Sequence, residues 1–318
     1  MAEWDKKQPI IAIGGPTASG KTSFSVALAR EFAGEVICAD SMQIYEGLDV
    51  GTAKVTEEEA QGVPHHLVGF LSPEQPYSVA DFVEDAKDCI QKISSRGHLP
   101  FVVGGTGLYI ESLVSGMRFS PQKPNPELRK QLEEKAAEAG PLAMHAELAA
   151  IDPEYAASVH PNNMGRVIRA LELYYSTGVT MTAQRAASMP DEPPYRELIL
   201  CLDWPREVLY QRIDLRVGQM LEQGILEEAE MVWKNADRYK TAAQAIGYKE
   251  FFPYFEGQAT VAECAAQLRQ SSRRYAKRQL TWFRRMPNVV WIKADQPDAL
   301  QAAAQTIREY LAADAARL

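Results

Sequence analysis

The feature that most restricts the fold lies near the start of the chain. An apolar run over residues 8–13 stops at Gly14-Gly15, and a helical pattern opens at Lys21 and runs to Phe32. A short apolar run without alternation suits a strand buried on both faces of a parallel sheet. The link between them, Gly15-Pro16-Thr17-Ala18-Ser19-Gly20-Lys21-Thr22, fits G-x-x-x-x-G-K-[ST] in the strand-to-helix context that a phosphate-binding loop requires. Its glycines let backbone N–H groups curl around phosphate oxygens, and the helix N-terminus adds favourable partial charge. Lys21 then reaches a terminal phosphate and Thr22 holds Mg²⁺ through its hydroxyl. The motif predicts polyphosphate binding; it does not say which polyphosphate.

The pattern that follows extends the same architecture. Residues 35–39 read as a second strand with Asp40 at its C-terminal end, and Ser78-Val-Ala-Asp81 reads as a capping box opening a helix to about Ser94. Residues 99–103 read as a third strand, ended by Gly104-Gly105-Thr106-Gly107, with another helix to about Ser115. Alternating strands and helices imply a parallel sheet covered on both faces. At Pro121, Pro124 and Pro126 the signals change to almost purely helical (residues 127–138, 141–150 and 163–176) until Pro193-Pro194. Strands at 197–202 and 288–292, helices at 205–223, 225–235 and 260–286, and a terminal helix at 297–313 return the chain to the sheet. The expected organisation is an α/β core over residues 1–118 and 197–318, interrupted by a helical insertion at 119–196.

Composition narrows the class. Hydrophobic residues at 46% and charged residues at 24% of 318 are those of an ordinary globular chain, which excludes collagenous and disordered proteins. No apolar run approaches the roughly 20 residues of a membrane span, and residues 1–7 lack a signal-peptide core, so a cytoplasmic protein without membrane contact is expected. Cys38, Cys89, Cys201 and Cys264 lie far apart with no C-x-x-C pair, which argues against disulfides and zinc. His65-His66 are sequence neighbours that point apart, a poor start for a metal site.

Charge is unevenly distributed. The net charge is −8, yet residues 264–293 hold eight basic residues (Arg269, Arg273, Arg274, Lys277, Arg278, Arg284, Arg285, Lys293) and no acid, leaving −16 on the rest. At 100° per residue, Leu268, Tyr275, Ala276, Trp282 and Phe283 share one arc of the 260–286 helix while the cations fill the remainder. The plain reading is a solvated face; the absence of acids favours a surface for nucleic-acid phosphates.

Phosphate chemistry in such a fold normally uses a strand-end carboxylate. The third strand ends without one, whereas Asp40, in Asp40-Ser41-Met42-Gln43-Ile44-Tyr45, would face the phosphate loop across the sheet's C-terminal crevice. Its alternative role is a turn or helix cap.

These blocks, together with Gly51-Thr-Ala-Lys54, Val63-Pro-His-His-Leu67, Gly104 to Tyr109, Asn163-x-x-Arg166-x-x-Arg169-Ala-Leu-Glu172, Ile246-Gly-Tyr-Lys-Glu250 and Arg274-Tyr-Ala-Lys-Arg-Gln-Leu-Thr-Trp-Phe-Arg284, run in order along nearly the whole chain. In them the chain resembles the bacterial tRNA dimethylallyltransferases (tRNA isopentenyltransferases). It departs at Met42, where many members have Arg, and at Val55, where Pro is common.

The resemblance implies an α/β, P-loop NTPase-like parallel-sheet core with a helical insertion that contacts tRNA. It implies transfer of a dimethylallyl group from dimethylallyl diphosphate to the exocyclic N6 amine of the adenosine 3′-adjacent to the anticodon, with Mg²⁺ as cofactor; a monomer is expected, though the sequence itself does not give the oligomeric state. Charge building on the leaving diphosphate would meet the loop amides, Lys21 and Mg²⁺ on Thr22, with Arg216 gripping the diphosphate and Thr106 supplying a further hydroxyl. Thr106 is alternatively a helix N-cap. The adenine amine is a poor nucleophile, and Asp40 would take its proton, a contribution of typically ~10²–10⁴-fold. Gln43 would pair with an adenine edge. Ser41, Met42, Gly247 and Tyr248 join the implied tRNA contacts, with Arg274, Lys277 and Arg278 on the cationic face. Arg166 and Arg169, three apart on an insertion helix, would hold the anticodon stem-loop from the other side, unless Arg169 is spent on Glu172. A P-loop small-molecule kinase explains the loop and sheet but not the cationic helix. A guanine-reading switch lacks N-K-x-D, and a free-nucleotide isopentenyltransferase explains neither the insertion nor the cationic helix.

Overall fold

The computed structural model describes residues 7–119 and 125–315; residues 1–6, with Pro121 and Pro124, lie outside the described residues. In chain order the elements are β1 (Gln8–Gly14), α1 (Lys21–Glu31), β2 (Gly34–Cys38), α2 (Glu57–Ala60), β3 (His65–His66), α3 (Val79–Ser95), β4 (Leu99–Val103), α4 (Gly107–Val114), α5 (Pro126–Ile151), α6 (Pro153–Ala157), α7 (Met164–Thr177), α8 (Met181–Ser188), β5 (Tyr195–Asp203), α9 (Arg206–Glu222), α10 (Ile225–Lys234), α11 (Phe252–Phe255), α12 (Val261–Phe283), β6 (Val289–Lys293) and α13 (Ala299–Ala315). They fall into two compact units, residues 1–114 with 194–318, and residues 115–193.

The first unit is built on a six-stranded sheet, among the described residues, in the order β3-β2-β4-β1-β5-β6, every pair parallel. β1 is central and buried from Ile10 to Gly14, as an unalternating apolar strand should be. Ile11, Ile13, Val36, Phe101 and Leu200 form the sheet's share of the core. The ends of β2 and β4 approach so closely that a Cβ on Gly104 would lie 2.0 Å from the Ala39 carbonyl oxygen. Only glycine fits there, and the pinch brings the residues after β1, β2 and β4 to one carboxyl edge, where ligands of open α/β sheets bind.

α3 starts at the expected capping box: Ser78 Oγ accepts from Asp81 N, and the Asp81 carboxylate accepts from Ser78 N at 2.8 Å. β3 was not expected, since two residues carry no periodicity. Its histidines do point apart: His65 Nδ1 meets the Val63 carbonyl, and His66 Nε2 meets Glu35 Oε2 at 2.7 Å. Glu35, 3% exposed, also takes two hydrogen bonds from Arg96 and one contact from His98 Nδ1 at 2.7 Å.

The second unit is helical. α5 bends where Gly140 adopts φ 79° ahead of Pro141, and Leu132, Met144, Leu148, Val167 and Leu171 pack its core with Tyr155. On α7, Arg166 and Arg169 are exposed, and Arg169 donates to the buried Glu172 at 3.2 Å.

Candidate active site

The phosphate loop leaves β1 and enters α1 with Gly20 at φ 84° and Ala18 at φ 61°, both left-handed. Four of its carbonyls are met by side chains. Those of Gly15 and Pro16 accept from Lys21 Nζ at 3.1 and 2.8 Å, that of Ala18 from Arg212 Nε at 2.8 Å, and that of Ser19 from Trp204 Nε1 at 3.0 Å. Burial pulls the Lys21 ammonium down to about 8, with Asp40 opposing and Arg216 adding to the shift. Thr22 follows as the second residue of α1.

Beside the loop opens a cavity of about 330 Å³, walled by Thr17, Ala18, Asp40, Ser41, Met42, Arg216, Gly247, Tyr275 and Arg278 together with the apolar Ile213, Val217, Met220 and Leu268. Asp40 borders the cavity and also takes its alternative role as a turn cap. Oδ1 caps the turn, accepting from Met42 N at 2.9 Å and Gln43 N at 3.4 Å, and Oδ2 accepts no hydrogen bond among the described residues. Arg216 donates to Thr17 Oγ1 at 3.2 Å and to the Thr52 carbonyl at 3.3 Å. Burial lowers its affinity for its proton and the Asp40 charge restores part of it. Thr106 stands immediately before α4, and its Oγ1 accepts from Ser41 N at 3.1 Å, tying the end of β4 to the turn after β2.

Lys21, Thr22 and Thr106 do not border the cavity itself; Thr106 is tied to its wall by the hydrogen bond from Ser41, and Lys21 bonds the carbonyl of Pro16, the residue before Thr17 of the wall. Two expected contacts need correction. Gln43 spends its amide inside the protein, donating to the Thr52 and Ala53 carbonyls at 3.1 Å each and accepting from Cys38 Sγ. Its side chain packs the turn instead of presenting an edge to a base. Tyr248 is fully buried, its hydroxyl on Glu228 Oε1 at 2.6 Å and its ring against Gly51, so of the two expected contacts Gly247 lines the cavity and Tyr248 does not.

The cationic helix α12 also differs in detail from its helical-wheel reading. Arg274, Lys277 and Arg278 are exposed and make no ion pair among the described residues, Arg278 resting over the Tyr275 ring. Arg273 is bound internally to Asp214. Tyr275, assigned to the packed arc, instead walls the cavity, where burial and then the Asp40 charge push its hydroxyl upward in pKa. Gln279, which the helical-wheel reading left unplaced, is 5% exposed and accepts from Thr17 N at 2.8 Å while donating to the Gly105 carbonyl at 2.9 Å. Arg212, Glu228 and Gln279 were missed because a lone polar residue on a helix carries no sequence signal for burial. Glu228 takes the N–H groups of Asp49, Val50 and Gly51 at 2.8–2.9 Å, which sets the loop carrying Thr52.

Known proteins share this arrangement's sequence and fold. The IPP transferase family model matches residues 43–286, and an isopentenyl transferase model matches residues 8–68. A tRNA dimethylallyltransferase of Bacillus velezensis is 46% identical over 308 residues, covering 97% of this chain and 98% of its own. That of Roseiflexus sp. is 43% identical over 304 residues, covering 95% and 99%. The crystal structure of the full-length tRNA isopentenylpyrophosphate transferase from Bacillus halodurans superposes with a TM-score of 0.73 at 42% identity over 98% of both chains. A eukaryotic dimethylallyltransferase acting on tRNA gives 0.82 at 30% identity, over 96% of this chain and 80% of its own. With its phosphate loop, parallel sheet and cationic helix accounted for by relatives matched along almost its whole length, the chain belongs to the IPP transferase family of tRNA dimethylallyltransferases.

Proposed function

We propose that the protein transfers a dimethylallyl group from dimethylallyl diphosphate to the N6 amine of the adenosine 3′-adjacent to the anticodon of tRNA, releasing diphosphate. The observation that carries this is the shared cavity: the Asp40 carboxylate, Arg216 and the phosphate-loop residues Thr17 and Ala18 wall one space of about 330 Å³. The reacting nitrogen and the leaving group need to meet there.

The loop from Gly15 to Thr22 binds the diphosphate through its inward-facing N–H groups and Lys21, with Arg216 as a second cation. As the bond from the allylic carbon to its diphosphate oxygen breaks, the N6 lone pair forms the new C–N bond and the N6 proton passes to Asp40 Oδ2. The Thr106 hydroxyl, which accepts from Ser41 N and shares a hydrogen bond with Tyr275, stands on the leaving-group side of the site. The target base is extruded from the anticodon loop to reach the cavity, past Ser41, Met42 and Gly247. Arg274, Lys277 and Arg278 take tRNA phosphates, which position without reading sequence. Residues 115–193 act as a helical insertion whose exposed Arg166 grips the anticodon stem-loop.

Among the described residues no cluster of three or more His, Cys, Asp or Glu could hold a metal by itself. A hard cation bound mainly by diphosphate oxygens and water needs only one protein hydroxyl, and Thr22 at the start of α1 fits that donor set. Mg²⁺ held there would neutralise charge on the leaving diphosphate. We read the enzyme as a cytoplasmic monomer. Incubation with labelled dimethylallyl diphosphate, Mg²⁺ and unmodified tRNA, with ATP in a parallel reaction, is the test. Label enters tRNA on this reading; ATP turnover without label in tRNA refutes it.

A further inference from the structure

The phosphate loop's outer surface is held by two side chains that the reaction itself does not use. Trp204 follows β5 directly and Arg212 lies on α9, so both come from the crossover beside β1. Trp204 Nε1 donates to the Ser19 carbonyl at 3.0 Å and Arg212 Nε to the Ala18 carbonyl at 2.8 Å. The guanidinium also sits 4.3 Å from the Trp204 ring centroid, so each holds the other. Neither borders the cavity, whereas Arg216, one turn further along α9, does.

A trans peptide is planar, with its C=O and N–H pointing in opposite directions. Pinning the Ala18 and Ser19 carbonyls outward therefore fixes the N–H groups of Ser19 and Gly20. The Ser19 N–H closes the loop's own turn onto the Pro16 carbonyl at 3.3 Å, and planarity aims the Gly20 N–H away from Trp204. The pinned stretch contains the strained residue: Ala18 at φ 61°, a conformation that L residues with a Cβ hold only when their surroundings over-determine it.

We propose that Trp204 and Arg212 form a positioning clamp that holds the phosphate loop in its anion-binding conformation before the diphosphate arrives. This rests on the reading of the loop as the diphosphate site. The clamp acts by preorganisation: without it the loop relaxes at Ala18, and binding must then restore the conformation, which weakens affinity.

The test is titration of inorganic diphosphate into wild-type protein and the variants Trp204→Phe, Arg212→Ala and Arg212→Lys, by calorimetry, with thermal melting and tRNA binding measured alongside. Trp204→Phe keeps the ring under Arg212 and deletes only the indole N–H. It should weaken diphosphate binding about three- to tenfold, the scale of one lost hydrogen bond, with tRNA affinity unchanged. Arg212→Ala should weaken it at least as much, and Arg212→Lys should recover part of the loss. Adding Ala18→Gly to Arg212→Ala should also recover part of it, because glycine takes the left-handed conformation without strain. Diphosphate affinity within twofold of wild type in both Trp204→Phe and Arg212→Ala overturns the clamp. So does a loss in Arg212→Ala that Ala18→Gly leaves untouched, which would make Arg212 a direct ligand contact. A wild-type protein that takes no diphosphate at all overturns the assignment of the loop, and the clamp's purpose with it.

Discussion

Gln279 of α12 and Thr17 of the phosphate loop are 262 residues apart and joined by a 2.8 Å hydrogen bond, from the Thr17 N–H to Gln279 Oε1. The same amide donates to the Gly105 carbonyl at 2.9 Å, so one buried side chain ties the cationic helix to the loops after β1 and β4. Gln279→Ala leaves a backbone donor and a backbone acceptor unsatisfied in the interior. It should destabilise the protein by about 2–3 kcal/mol and lower the melting temperature by about 5–10 °C. A melting curve within a degree or two of wild type would show that water replaces the amide without loss.

On the proposed mechanism Asp40 takes the N6 proton. Asp40→Asn keeps an oxygen to cap the turn at Met42 N but cannot act as a base. With both substrates saturating, the single-turnover rate should fall by at least ~10²-fold while binding of tRNA and dimethylallyl diphosphate stays near normal. A rate within a few-fold of wild type would leave Asp40 as a cap only.

Lys21 loses its proton at about 8 in the free protein because it is buried, Asp40 opposing and Arg216 reinforcing. If the charged form binds diphosphate as proposed, affinity should be full below that value and decline as pH rises through it. Titrations of dimethylallyl diphosphate from about pH 6.5 to about 9.5 read this directly. Lys21→Ala should abolish transfer, remove the alkaline decline and leave tRNA affinity intact.

The exposed face of α12 should act through charge alone. Replacing Arg274, Lys277 and Arg278 with Ala should weaken binding to any tRNA and reduce the slope of log K against log salt by about two to three. An unchanged slope would take this face out of the tRNA interface.

Glu35 supplies a separate acid-sensitive contribution to stability. Burial pushes its carboxyl up, but hydrogen bonds from Arg96, His66 and His98 outweigh this and hold it at about 2, against an ordinary 4.5. Because the folded value is depressed, the stabilisation is complete above about pH 4.5 and is lost as pH falls toward 2. The contribution is roughly 3 kcal/mol. Urea unfolding followed from neutral to acid pH should show this limb in wild type and not in Glu35→Gln.

The amino-acid order by itself determined what depends on neighbours along the chain. The phosphate loop is legible because its glycines, Lys21 and Thr22 act through one continuous backbone turn between a strand and a helix. The Ser78–Asp81 cap and the unalternating apolar run of β1 are equally local, and the family blocks carried the chemistry assigned to Asp40. Tertiary structure decided which polar side chains are structural. Gln43 reads in sequence as a base contact and Gln279, Arg212 and Glu228 carry no signal of their own, yet each answers a backbone group distant along the chain or in the next loop: Thr52, Gly105, Ala18 and Gly51. Tyr248 and Tyr275 were exchanged for the same reason. A helical period tells which residues share a face, and only the packed neighbours tell whether that face meets the core, a cavity or water.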